Sequence, residues 1–195
     1  MIYSAKNKQY LFPDFILLML ILSFFFISGC APRHYIRSKA SIGKINKIAV
    51  LPFENLTTNQ YADEKIRAAV IIELLSKGIE VVEPGEVTLV LNQLEIRSLN
   101  SLTASDIQFI GEALGVKTIM RGSVNTLGVN KGISVSYPEV SLNLILFDTT
   151  SGKIIWHVWQ TAGGAGFWTR HFGAEGKTLD ETVRDVVKNA LNTLH

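Results

Sequence analysis

Cysteine is almost missing from this chain: one occurs in 195 residues, at Cys30. A single cysteine excludes an internal disulfide framework and any cluster of thiolates around a metal. Histidine is scarce as well. His34, His157, His171 and His195 stand far apart without ligand spacing, so no metal site is expected. The chain also lacks a strong excess of one charge. Its formal net charge is +2, too weak a field to point to nucleic acid. Long apolar runs are missing too. The longest, Phe15 to Ile27, is interrupted only by Ser23 and falls short of the ~20 residues that a membrane-spanning helix needs. No nucleophile–base pattern and no phosphate-binding G-x-x-x-x-G-K-[ST] spacing is readable, so no cofactor is expected and an enzyme is the least favoured class.

The short run and the single cysteine belong together. Lys6 and Lys8 precede the run, Pro13 and Asp14 stop it from extending backward, and Ile27-Ser28-Gly29-Cys30 follows it. A positive n-region, an apolar h-region and small residues before a cysteine make a signal peptide, and the tetrapeptide resembles the bacterial lipobox. This resemblance implies removal of residues 1–29 and acylation of Cys30 with fatty chains of the palmitate kind. Each buried methylene contributes about 0.8 kcal/mol, and two or three chains hold durably where one does not. Ala31, rather than Asp, follows the cysteine, which under the sorting rule of two-membrane bacteria implies the periplasmic face of the outer membrane. Processing removes Lys6, Lys8 and Asp14, so the net charge falls from +2 to +1.

Three regions follow: a signal peptide over 1–29, a lipidated tether over 30–44, and one domain over 45–195. The tether is polar and basic (Arg33, His34, Arg37, Lys39, Lys44) and shows no periodicity. Beyond it, Ile45 to Phe53 reads as a buried strand ending at Pro52, and Glu54 to Asn59 as a polar turn. Gln60 to Lys77 reads as a helix. Ile66, Val70 and Leu74 form one apolar face, with Ala69, Ile72 and Leu75 beside it, a stripe wide enough to pack on a sheet. Ile79 to Val82 is a short strand. Pro84 opens a second helix carrying Val87, Val90, Leu91 and Leu94. Thr103 and Asp106 form a capping-box pair for a third, which faces Ile107, Ile110 and Leu114 inward and stops at Gly115.

Strands come next: Val116 to Val129, Ser134 to Asp148, and Lys153 to Thr161 after a turn at Asp148 to Gly152. In the second, Val140, Leu142, Leu144 and Leu146 alternate against Ser141, Asn143 and Ile145, giving a hairpin with one buried face. Pro138 suggests an edge or a bulge. A last helix starts at Thr178, with Glu181 as its capping-box partner. The expected fold is α/β: a single domain with a mixed β-sheet covered by helices and a C-terminal helix.

Three segments carry a family resemblance: IAVLPFENLT (Ile48 to Thr57), LGVKTIMRGSV (Leu114 to Val124) and LNLILFDTTSGKIIW (Leu142 to Trp156). With the lipobox they resemble the CsgG-type curli-secretion lipoproteins and the related penicillin-binding-protein activators. The resemblance implies a fold like the amino-terminal domain of TolB and a place in the cell envelope. It implies a non-enzymatic adaptor or structural subunit of an envelope assembly or transport complex, with homo-oligomers in range. The alternatives are a CsgG-type secretion-channel component and, less favoured, a periplasmic hydrolase.

The contact expected to serve that role is the loop from Ala162 to Lys177. Five glycines there surround Phe167, Trp168, Arg170, His171 and Phe172. Aromatics and Arg dominate interface energies, so these five residues are the candidate partner-binding set. Folding back of the same aromatics onto the sheet is the other reading. Alternation on the return strand places His157 and Trp159 on one face and Trp156 on the other.

Overall fold

The computed structural model describes residues 33–36, 45–96, 98–131, 136–164 and 176–194. All belong to one compact unit, Pro32–His195. The other unit, Met1–Ala31, includes the expected signal peptide over 1–29 and Cys30, and lies outside the described residues. Among the described residues no helix is long and apolar enough to cross a membrane.

In chain order the strands are β1 (Arg33–Ile36), β2 (Lys47–Val50), β3 (Glu54–Asn55), β4 (Glu80–Val81), β5 (Thr118–Lys131), β6 (Ser136–Asp148) and β7 (Lys153–Gly163). The helices are α1 (Ala62–Ser76), α2 (Pro84–Gln93), α3 (Ala104–Leu114) and α4 (Leu179–Leu191), with a 3₁₀ turn at Leu99–Ser101. One sheet runs β1-β7-β6-β5-β2-β4, and β3 pairs with β5 further along. β2 lies parallel to both β4 and β5, whereas β5, β6, β7 and β1 are antiparallel neighbours. The mixed sheet and terminal helix are those expected from the sequence.

Each face of the sheet carries its own core, because Ile48 to Leu51, which form most of β2 and its exit, are all apolar. Ile48 and Val50 join the core under α1 and α4, while Ala49 and Leu51 join the one under α2 and α3. The leucine alternation of β6 points into the first core, yet the hairpin does not have a single buried face: Ile145 and Phe147 are buried in the second. Ile155 and Trp156 both enter the first core although they are adjacent. A register shift opposite Leu146 and Phe147 inserts an extra residue there. Trp156 also donates its indole N–H to Thr193 Oγ1 at 3.1 Å, fixing the end of α4.

The local stop and start signals are formed as read. Thr103 and Thr178 each close a capping box, with Asp106 and Glu181. Gly115 ends α3 at φ +60, where other residues are strained. Pro138 sits beyond the last β6–β7 pair, Glu139 with Gly163, so its missing N–H leaves no ladder bond unmade.

Three further readings change. The segment read as a tether contributes an edge strand, since Arg33–Ile36 pairs with Trp159 to Trp156 of β7. The polar turn at Glu54 to Asn59 starts as a strand, pairing Glu54 with Ser123 and Asn55 with Val124. Ile72 and Leu75 do not pack on the sheet; α1 buries only Ala62, Ile66, Val70 and Leu74, and these two face outward.

Candidate functional site

The helices α2 and α3 cover only part of their side of the sheet. Beneath them lie Ala49, Leu51, Ile119, Ile145 and Phe147. Past those residues the strands continue with no α-helix over them among the described residues, and strand register sets which side chains stand there. One row runs Glu54, Ser123, Asn143 and Trp159 across β3, β5, β6 and β7. The next runs Arg121, Ile145, His157 and Tyr35. Sheets pair side chains that lie opposite one another on the same face, so these residues form one patch. It also lies at the C-terminal ends of the parallel strands β2 and β3, where open α/β sheets commonly bind their ligands.

The patch combines aromatic rings with fixed polar groups. Tyr35 and Trp159 are each 51% exposed. His157 is half-buried, and its Nε2 lies 2.5 Å from Asn143 Oδ1, a contact in which the neutral ring donates. Burial pushes the His157 imidazole below its usual range, and the charge on Arg121 adds to that. Arg121 itself donates from Nη1 to the Leu99 carbonyl at 2.7 Å, tying β5 to the 3₁₀ turn. Asn100 of that turn donates to Glu54 Oε1. Between the turn and the strand exit is a cavity of about 280 Å³, with Phe53, Glu54, Asn100 and Arg121 in its wall.

This arrangement suits non-covalent docking. His157 is engaged by an amide, Glu54 by another, and Arg121 by a carbonyl. No hydroxyl or thiol nucleophile is held by a base in this set. Among the described residues no group of three His, Cys, Asp or Glu side chains could hold a metal ion. The rings supply apolar area for a partner, and the bound polar groups supply direction.

Of the sequence-predicted site residues, Phe167, Trp168, Arg170, His171, Phe172 and Cys30 lie outside the described residues. The loop's roots are described: Ala162 and Gly163 extend β7 against Val140 and Glu139, and Lys177 precedes α4. The expected split of the return strand is observed, with Trp156 in the core and Trp159 exposed. The sequence placed Glu54 only in a polar turn and did not single out Tyr35, Asn143 or Arg121. For Asn143 a signal existed, since it falls on the polar phase of the β6 alternation. For Tyr35 and Arg121 only the register of distant strands brings them in.

Neither a protein-family profile nor a curated protein sequence matches the chain. Solved structures do. A PelC dodecamer from Paraburkholderia phytofirmans is 18% identical over 84% of this chain and 97% of its own, with a TM-score of 0.57. Lipoprotein GNA1162 from Neisseria meningitidis is 19% identical over 75% and 98%, with a TM-score of 0.54. The fold of this chain is therefore the one shared by PelC and the lipoprotein GNA1162.

Proposed function

We propose that this protein is a lipid-anchored, non-enzymatic subunit of a cell-envelope assembly, held at the periplasmic face of the outer membrane by acyl chains on Cys30. It works in several copies and contacts its partner protein through the open sheet face around Tyr35, His157 and Trp159. The glycine–aromatic residues Phe167, Trp168, Arg170, His171 and Phe172 add to that contact. The observation that carries the reading is the half-exposed aromatic pair, set among engaged polar groups on a sheet face that no α-helix covers among the described residues. The fold supports it, because one neighbour is a lipoprotein and another is a dodecamer. Tethering explains how a modest surface suffices: confinement to a membrane raises the effective concentration of partners.

Replacing Cys30 with Ser tests the anchor. The expected result is an unprocessed or soluble chain and loss of partner crosslinks in intact cells. Unchanged membrane fractionation with unchanged processing refutes the anchor.

A further inference from the structure

We infer that the projecting end of the β5–β6 hairpin lies against the headgroup layer of the bilayer, so that the sheet stands on the membrane with this end down. The inference rests on the reading of Cys30 as the acylated anchor and adds which end of the fold the bilayer meets.

Chain length sets the constraint. Arg33, the first residue of β1, comes three residues after Cys30. Three residues span at most about 11 Å, whatever path they take. Acyl chains on Cys30 enter the hydrocarbon, which puts its backbone at the boundary with the headgroups. A headgroup layer is roughly 5–7 Å thick, so Arg33 stands no more than roughly 5 Å clear of the membrane surface.

Register sets the direction. β1 runs antiparallel to β7, pairing Arg33 with Trp159, and Trp159 pairs with Asn143 of β6. The path from Arg33 back toward Cys30 therefore leaves the sheet at the end where β5 finishes and β6 begins. Ser136 comes seven residues before Asn143, a rise of about 23 Å along the strand. The hairpin thus extends about twice as far past Arg33 as the anchoring chain can. Strands inclined toward the bilayer, even at a shallow angle, put its end among the headgroups.

The residues there suit that place. Pairing between β6 and β7 ends at Glu139 with Gly163, and beyond it β5 and β6 continue as a two-stranded ribbon that pairs Val129, Asn130 and Lys131 with Pro138, Tyr137 and Ser136. Such a ribbon is marginal in water by itself. Val129 is nevertheless 56% exposed, and Tyr137 is half-buried. Tyrosine favours the membrane interface. Lys131 is the one charged residue among these six, free of acidic neighbours on the ribbon and suited to lipid phosphate. Glu139, at the ribbon's base, accepts a hydrogen bond from the Asn130 amide. The opposite end of the sheet closes instead in the polar turn from Asp148 to Lys153.

The test uses the full acylated protein in vesicles of phosphatidylethanolamine and phosphatidylglycerol, with nitroxide on some headgroups. Cys30 is the only cysteine and acylation blocks its thiol, so Val129→Cys and Lys131→Cys each carry one fluorophore at the ribbon. Ile154→Cys, near the other end of β7, is the control. Both ribbon labels are expected to be quenched several-fold more strongly than the Ile154 label. A spacer of ten glycine and serine residues between Ala31 and Pro32 is expected to bring ribbon quenching down to the control value while the protein still floats with the vesicles. If the protein floats but the ribbon labels are quenched no more than the control, the orientation is wrong and the anchor stands. Quenching that the spacer leaves unchanged overturns the short chain as its cause. A parent chain that does not float removes the anchor, and the orientation with it.

Discussion

Gly122→Ala is expected to destabilise the protein although it removes a glycine from a strand. Gly122 is buried in β5, beside Arg121 of the open face. Alanine there would gain about 0.5–1 kcal/mol through the smaller entropy of the unfolded chain. A Cβ on Gly122, however, would stand 2.9 Å from Leu144 Cδ2 and 2.9 Å from both Cε1 and Cε2 of Phe53. Carbon atoms prefer about 3.5–4.0 Å, so leucine and ring must each give by more than half an ångström. Both are core residues under α1 and α4, where such overpacking costs about 1–3 kcal/mol. The net loss is about 1–2 kcal/mol. With a slope near 2 kcal/mol per molar, the urea midpoint falls by roughly 0.5–1 M. Gly128→Ala, in the same strand with nothing within 4 Å of its added Cβ, is expected to leave the midpoint unchanged or raise it. Phe53→Leu removes part of the obstruction, so the double variant should lose about 1 kcal/mol less than the two single losses together. A Gly122→Ala protein as stable as its parent, or strict additivity with Phe53→Leu, refutes the close-contact explanation.

Tyr35→Ala and Trp159→Ala together are expected to cut crosslinking to the proposed partner more than tenfold, because docking would cover roughly 100 Å² of each ring, about 2.5 kcal/mol apiece; undiminished crosslinking rules out this face. His157 is held below its usual range by burial first and Arg121 second. A folded value below the unfolded one means that its share of stability is complete above about pH 6.5 and is lost as pH falls through the folded value. Arg121→Gln should raise the ring's midpoint in an NMR titration without restoring the ordinary value, and a midpoint that stays or drops contradicts the assigned cause. Thr103→Ala should cost about 1 kcal/mol by removing the cap of α3. Backbone and side-chain hydrogen bonds from Thr103 hold the Asp106 carboxyl below the usual range, so that stabilisation is present above about pH 4 and fades as pH falls further. Asp106→Asn should therefore flatten the acid limb of a melting-temperature profile, and an unaltered limb counts against the capping box as its source.

The parts of the fold legible in the sequence are those whose causes are local. Thr103 with Asp106 and Thr178 with Glu181 mark helix starts because the bonds they make span three residues. The leucines of β6 show their core because strand period is fixed at two. Contacts across distant strands carry no such mark. Nothing near Arg33 to Ile36 announces a strand, since its partners are the backbone groups of Trp156 to Trp159. Ile72 and Leu75 look like core residues because apolar character alone does not say whether sheet or another surface covers them. The open face was half legible for the same reason: Trp159 and Asn143 stand out in their own strands, whereas Tyr35 and Arg121 reach it only through register.

The place of β2 has a consequence for how the chain comes to be folded. That strand is made early, yet its neighbours are β4 and β5, and its pairing with Ile119 and Met120 awaits residues made much later. The meander from β5 to β7 can assemble from near neighbours, but the slot beside it closes only when the earlier segment returns across α1, α2 and α3. Maturation should therefore be slow for a protein of this size, and until then Ile48 to Leu51 present an adhesive, wholly apolar edge to whatever meets the unfinished chain.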